Sequence, residues 1–108
     1  MRVLEYVGRD GKSPFREWFD DLDAVAAARV ATALVRLEKG NVANLKSAGE
    51  GVLEARIHFG PGYRVYLGRD GERIVILLGG GTKHGQQRDI AVARERWSDY
   101  KRRRRMER

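Results

Sequence analysis

The chain has 108 residues, 42% hydrophobic and 34% charged, with two prolines and no cysteine. That length supports one domain with a modest core, and the absence of cysteine excludes disulfides, thiolate nucleophiles and Cys-ligated zinc while fitting a reducing cytoplasm. No apolar run approaches the roughly 18 residues that read as a membrane span, and Met1-Arg2-Val3-Leu4-Glu5-Tyr6 has no signal-peptide apolar region, so a cytoplasmic protein with no membrane partner is expected.

A net charge of +7 suggests a polyanionic partner, but the charge is unevenly spread. Lys101 to Arg108 hold six cations and one Glu, whereas residues 1–53 balance eight cations against eight anions. Residues 54–88 carry six cations against three anions. The basic end is therefore set apart as a tail, 101–108, behind a domain over 1–100. It reads either as a solvated, disordered end or as an RNA-contacting arm.

In chain order, Arg2 to Val7 alternates loosely and predicts a strand, closed by a turn at Gly8-Arg9-Asp10-Gly11. Ser13-Pro14 supplies an N-cap followed by Pro at the first helical position. Phe15, Trp18, Phe19 and Leu22 then form an apolar helical face. Asp23 caps a second helix running to about Lys39 and ending at Gly40-Asn41, with Ala27, Val30, Leu34 and Leu37 on one side. These two segments predict a helical hairpin.

Asn41 to Gly51 reads as loop, with Lys46 exposed. Three strands follow, Val52 to Phe59, Tyr63 to Gly68 and Arg73 to Leu78. The short Gly-containing turns between them imply antiparallel neighbours. Gly79-Gly80-Gly81 is expected to end the sheet in a flexible loop through Gln86. A final helix carries Ile90, Ala93, Trp97 and Tyr100 at helical spacing. The order βααβββα predicts an α+β fold with helices packed on a mainly antiparallel sheet.

The middle strands carry the candidate chemistry. Leu53, Ala55, Ile57 and Phe59 point one way, and Glu54, Arg56 and His58 the other. If Arg64 and Tyr66 share that second face, the five polar residues form one cluster, with Lys83 at the exit of the third strand able to close over it. Such a set suits phosphodiester cleavage at a 2′-hydroxyl, which needs a base, neutralised phosphate oxygens and a protonated leaving oxygen. Arg56 and Arg64 offer guanidinium forks for phosphate. Glu54 or His58 is placed to act as the base, and Tyr66 or Lys83 to donate a proton or hydrogen bond. Two histidines and scattered carboxylates without ligand spacing predict no metal and no cofactor. The wet face of an antiparallel sheet carries Glu–Arg pairs as a matter of course, so the pattern alone leaves function open.

The same residues carry a family likeness. Gly51-Val52-Leu53-Glu54-Ala55-Arg56-Ile57, Gly60-Pro61-Gly62-Tyr63-Arg64-Val65-Tyr66, Leu77-Leu78 into Gly80-Gly81-Thr82-Lys83, Gln86 and Asp89-Ile90 resemble the RelE/ParE superfamily of type II toxins. The nearest likeness is to its HigB-like addiction module killer branch. Phe15, Trp18, Trp97 and Tyr100 fit the same pattern, which extends to Tyr100. The resemblance implies a microbial-RNase-like fold, ribosome-dependent endoribonuclease cleavage of translated mRNA, and inhibition by a cognate antitoxin, typically of helix-turn-helix type. By that match Arg56, Arg64 and Lys83 bind phosphate and catalyse, supported by Glu54 and Tyr66. Lys46, His58, Arg73, His84 and Arg88 are the further residues expected to contact RNA. Thr82 and His84-Gly85 depart from the pattern, which carries an acidic residue before the lysine and small hydroxyl residues after it. The superfamily also contains DNA gyrase inhibitors of the ParE kind, and an inactive homologue that only binds its antitoxin is a third reading; fold alone does not separate them.

Overall fold

The structure, a computed structural model, describes residues 1–107 and is α+β. Its elements are β1 (Arg2–Glu5), α1 (Pro14–Asp20), α2 (Ala24–Glu38), β2 (Lys46–Gly49), β3 (Val52–Ile57), β4 (Tyr63–Asp70), β5 (Ile74–Thr82), a 3₁₀ turn (Lys83–Gly85) and α3 (Gln86–Met106). The five strands form one mixed sheet in the order β1-β5-β4-β3-β2. β1 runs parallel to β5, and the other three pairings are antiparallel.

Local chemistry explains the helix starts. Ser13 Oγ accepts from the Arg16 N–H at 3.1 Å ahead of Pro14, and Asp23 Oδ1 accepts from the Ala26 N–H at 2.9 Å. Each satisfies an otherwise orphaned donor, an interaction of about 1 kcal/mol. At the end of α2, Gly40 takes a positive φ of 84° and the Asn41 N–H donates back to Arg36 O at 3.0 Å. A left-handed residue closing the last turn in this way is what Gly supplies without steric cost.

The sheet has an apolar layer on each face. On one side Phe15, Val30 and Leu37 of α1 and α2 pack on Val65, Leu67, Val75 and Leu77. On the other, Ala93 and Trp97 of α3 pack on Val52, Tyr66, Ile76 and Leu78, with Ile90 and Tyr100 at the margin. The rings of Trp97 and Tyr100 stack at 5.3 Å. The apolar faces expected for α1 and α3 are thus the faces that pack, and that of α2 packs through Val30, Leu34 and Leu37 with Ala26 rather than Ala27 buried. No helix among the described residues is long and apolar enough to cross a membrane.

Four expectations are corrected. First, 46–49 is a strand rather than loop. Lys46 pairs with Glu54 and Ser47 with Leu53, and Arg94 of α3 donates to Ala48 O at 2.9 Å. Lys-Ser-Ala-Gly has little strand propensity of its own, and its pairing comes from β3 and from Arg94. Second, β3 stops at Ile57, because the Phe59 N–H donates to Ile57 O at 2.9 Å and turns the chain at His58. A three-residue turn of this kind is common at strand ends.

Third, Gly79-Gly80-Gly81 is not a loop but the second half of β5, paired with Tyr66, Val65 and Arg64 respectively. A Cβ on Gly80 would collide with the Trp18 ring, and one on Gly81 with the Asp89 carboxylate. Glycine here admits α1 on one face and α3 on the other. Fourth, 101–106 continues α3 and is not a separate disordered tail. Arg103 donates to Val7 O at 2.8 Å, and Arg104 Nε to Asp70 Oδ2 at 3.0 Å. Arg108, the last residue of the expected tail, lies outside the described residues.

Candidate functional site

The site grows from the pairing of β3 with β4. Glu54 lies opposite Tyr66, and Arg56 opposite Arg64. Paired residues of an antiparallel ladder point to the same face, so all four share the α3 side. Of the five residues expected to cluster, Glu54, Arg56, Arg64 and Tyr66 share this face, and His58, beyond the end of β3, does not join them. Gly79 and Gly81 continue the two rows on β5 without side chains, leaving room above the sheet for these long groups.

Two guanidiniums directly opposite each other repel, a destabilising cross-strand pair. One carboxylate offsets them. Glu54, only 2% exposed, accepts from Arg56 Nε at 2.6 Å, and the same oxygen lies 3.8 Å from Arg64 Nη1. Its other oxygen accepts from the Gln86 amide at 3.3 Å. Arg64 is buried and its Nε has no hydrogen-bond partner, whereas Arg56 is 40% exposed. The cluster thus keeps one positive charge in excess, with guanidinium donors unspent.

Tyr66 lies buried beside it, and its hydroxyl has no partner among the described residues. Burial pushes this phenol up to about 12, with the nearby charges of Glu54 and Asp89 adding to the effect. It stays protonated and offers a hydrogen-bond donor rather than a base. Behind it opens a cavity of about 240 Å³ lined by Trp18, Gly80, Arg88, Asp89 and Arg96. Burial raises the Asp89 carboxyl and lowers the Arg96 guanidinium, and Arg96 donates to Leu78 O at 2.9 Å.

The remaining candidates are dispersed. The Lys83 N–H donates to Gly62 O at 2.8 Å where β5 ends, but its exposed side chain makes no ion pair or hydrogen bond among the described residues. His84 sits exposed in the following 3₁₀ turn. His58 leaves the strand and lines a separate groove with Lys46 and Arg56. Arg88 edges the Tyr66 cavity. Arg73 precedes β5 at the far end of the sheet, ten residues before Lys83. At about 3.3 Å per strand residue it is roughly 30 Å from that lysine, so it does not join the cluster. Among the described residues no three His, Asp or Glu converge as a metal-binding group.

Sequence reasoning did not assign Gln86, Asp89 or Arg96 a role at the site. Gln86 reaches Glu54 across 32 positions, and no local periodicity reports a contact of that separation. Their spacing on one helix, at 86, 89 and 96, was the signal available, since residues three and seven apart share a face.

No family model matches the chain. An uncharacterized protein of Haemophilus influenzae (strain ATCC 51907 / DSM 11121 / KW20 / Rd) is 41% identical to it over 81 residues, spanning 74% of this chain and 82% of that protein. At that identity and coverage, the chain belongs to the same family as the Haemophilus protein.

Proposed function

We propose that this chain is the toxin of a type II toxin–antitoxin module, an endoribonuclease that cuts translated mRNA on the ribosome in the cytoplasm and is held in check by a helix-turn-helix antitoxin. The observation that carries the reading is the opposed pair Arg56 and Arg64, set against one buried carboxylate. A cross-strand pair that costs stability is repaid when an anion with several oxygens enters between the two forks, and a phosphodiester has that chemistry. The likeness of Gly60 to Tyr66 and of Gly80-Gly81-Thr82-Lys83 to the RelE/ParE pattern supports the same reading.

In the reaction, the 2′-oxygen loses its proton and bonds to phosphorus as the bond to the 5′-oxygen breaks and that oxygen gains a proton. A cyclic 2′,3′-phosphate and a 5′-hydroxyl end result. Arg56 and Arg64 neutralise the non-bridging oxygens, where preorganised charge lowers the barrier most. Glu54 holds both arginines in place. Tyr66, protonated at neutral pH, donates a hydrogen bond into the site, and exposed Lys83 supplies a further cation from the strand exit. The ribosome positions the 2′-hydroxyl for in-line attack, so activity on naked RNA is expected to be weak.

The test is brief induction in a bacterial host followed by mapping of mRNA 5′ ends. New ends inside translated frames, lost in Arg56→Ala and Arg64→Lys, are the expected result. Arg64→Lys keeps the charge beside Glu54 while removing the fork. Growth arrest with intact transcripts and DNA-damage signalling would overturn the reading in favour of a gyrase poison. An inert chain that still binds its antitoxin would overturn it in favour of a scaffold.

A further inference from the structure

A second basic surface flanks the cluster. Between α2 and the β2–β3 edge runs a groove of about 570 Å³. Arg29, Thr32 and Arg36 line it from α2, Lys46 from β2, and Arg56 and His58 from β3 and its exit, so it wraps the strand edge between the two faces of the sheet. Positions 29, 32 and 36 fall on one helical face, and the two arginines stand two turns, about 10 Å, apart. Among the described residues no carboxylate lines the groove. Arg29 lies over the Phe59 ring at 4.7 Å, and Arg29, Arg36 and Lys46 make no ion pair among the described residues.

The floor of this groove also has backbone groups to offer. β2 pairs with β3 only as far as Lys46 and Glu54, so Ala55 to Ile57 have no strand partner on that side. An open strand edge presents unpaired N–H and C=O groups. Among the described residues no Phe, Tyr or Trp lines the groove, and the His58 imidazole is its one ring, so it offers little stacking surface to successive bases. What remains is a group of exposed cations and backbone donors, suited to a charged chain and indifferent to its sequence. Arg56 belongs both to the groove and to the Glu54 cluster, so a chain lying in the groove is led to the two opposed arginines.

We infer that this groove holds the phosphodiester backbone of the single-stranded RNA flanking the scissile bond, with Arg29 and Arg36 of α2 as phosphate ligands. The choice of RNA over another polyanion rests on the nuclease reading. The groove itself adds Arg29 and Arg36, neither of which belongs to the cleavage cluster.

The experiment measures binding of the full chain to a short, labelled, 2′-O-methylated RNA strand at increasing salt. That probe has no 2′-hydroxyl to attack, so binding is read apart from cleavage. Each phosphate contact contributes about 0.7 to the slope of log affinity against log salt for a single strand, so Arg29→Ala/Arg36→Ala is expected to lower that slope by about 1.4. Arg9→Ala/Lys12→Ala, which removes equal charge from the turn after β1 at the other sheet edge, is expected to leave it unchanged. Thermal melting checks that both variants fold. An unchanged slope in the α2 variant, or an equal drop in both, would overturn the groove. Competition by polyglutamate as effective as by RNA would also overturn it and assign the groove to an acidic peptide. Loss of RNA cleavage in Arg64→Lys is a separate readout, so failure of the groove and failure of the nuclease reading are told apart.

Discussion

Arg56 and Glu54 are two residues apart on one strand, and the arginine Nε meets the carboxylate Oε1 at 2.6 Å. Their side chains leave the same face and lean together, while Arg64 approaches the same oxygen from the neighbouring strand at 3.8 Å. One buried oxygen therefore organises two guanidiniums. Removing it strands buried Arg64 opposite Arg56 with no counter-charge. Glu54→Ala is expected to cost about 3 kcal/mol of stability, the scale for breaking a buried pair. Glu54→Gln, which keeps an acceptor, should cost less. The urea midpoint checks both, and a Glu54→Ala midpoint equal to the parent would show that the carboxylate is not holding the arginines.

The glycine run of β5 makes a packing prediction. Gly80 faces Trp18 so closely that a methyl group there meets the ring. Gly80→Ala is expected to cost roughly 1–3 kcal/mol, as overpacking does. Trp18→Leu in the same chain should relieve part of that cost, giving a favourable coupling in a double-mutant cycle. Strictly additive losses would mean that Trp18 is not what requires the glycine.

Two phenols set an alkaline limit. Burial, more than any neighbouring charge, raises both Tyr66 and Tyr100 from about 10 to about 12, and Tyr100 also donates to Asp70 at 2.6 Å. A folded-state value above the unfolded one favours the protonated fold, so this stabilisation is complete below pH 10 and is lost as pH rises towards 12. Urea midpoints should fall across that window and fall less in Tyr66→Phe. At neutral pH the same variant removes a buried hydroxyl without a partner, and stability should hold or rise by about 1 kcal/mol. A parent-like alkaline slope in Tyr66→Phe would remove Tyr66 as its source.

Asp99 sets an acid limit on the C-terminal helix. It accepts from Tyr6 Oη at 2.7 Å and from Arg102 at 2.7 Å, and forms an ion pair with Arg103 at 2.6 Å. The Tyr6 hydrogen bond, aided by Arg103, holds its carboxyl below the ordinary 3.8. A depressed folded-state value stabilises above the unfolded one and is lost as pH falls through it. Melting temperature should therefore drop on acidification below about pH 4, and Asp99→Asn should flatten that part of the drop. Hydrogen exchange over 101–106 should quicken in Asp99→Asn. Unaltered exchange would show that Asp99 does not secure that end of α3.

Much of the fold is legible before any coordinates. Ser13-Pro14 and Asp23 start helices because capping is a contact between near neighbours, and the apolar rows of α1 and α2 follow the helical period. The alternation of Leu53, Glu54, Ala55 and Arg56 identifies two faces because a strand repeats every two residues. The short turn at Gly60-Pro61-Gly62 made the next strand antiparallel, but the register that sets Tyr66 opposite Glu54 and Arg64 opposite Arg56 came from the pairing itself.

What the sequence by itself determined is whatever depends on contacts within a few residues: helix starts, strand periodicity and tight turns. Tertiary structure alone decided the rest. Lys46 to Gly49 became a strand because β3 offered an edge, and Gly79 to Gly81 remained in the sheet because Trp18, Asp89 and Arg96 pack where side chains would stand. The basic run 101–106 stayed helical with Asp70, Asp99 and Val7 O as partners. Arg29 and Arg36 came to line one groove with Lys46 and Arg56 only when α2 was laid against the β3 edge. Such contacts join residues far apart in the chain, and their free energy comes from burial and charge pairing that exist only after the layers have met.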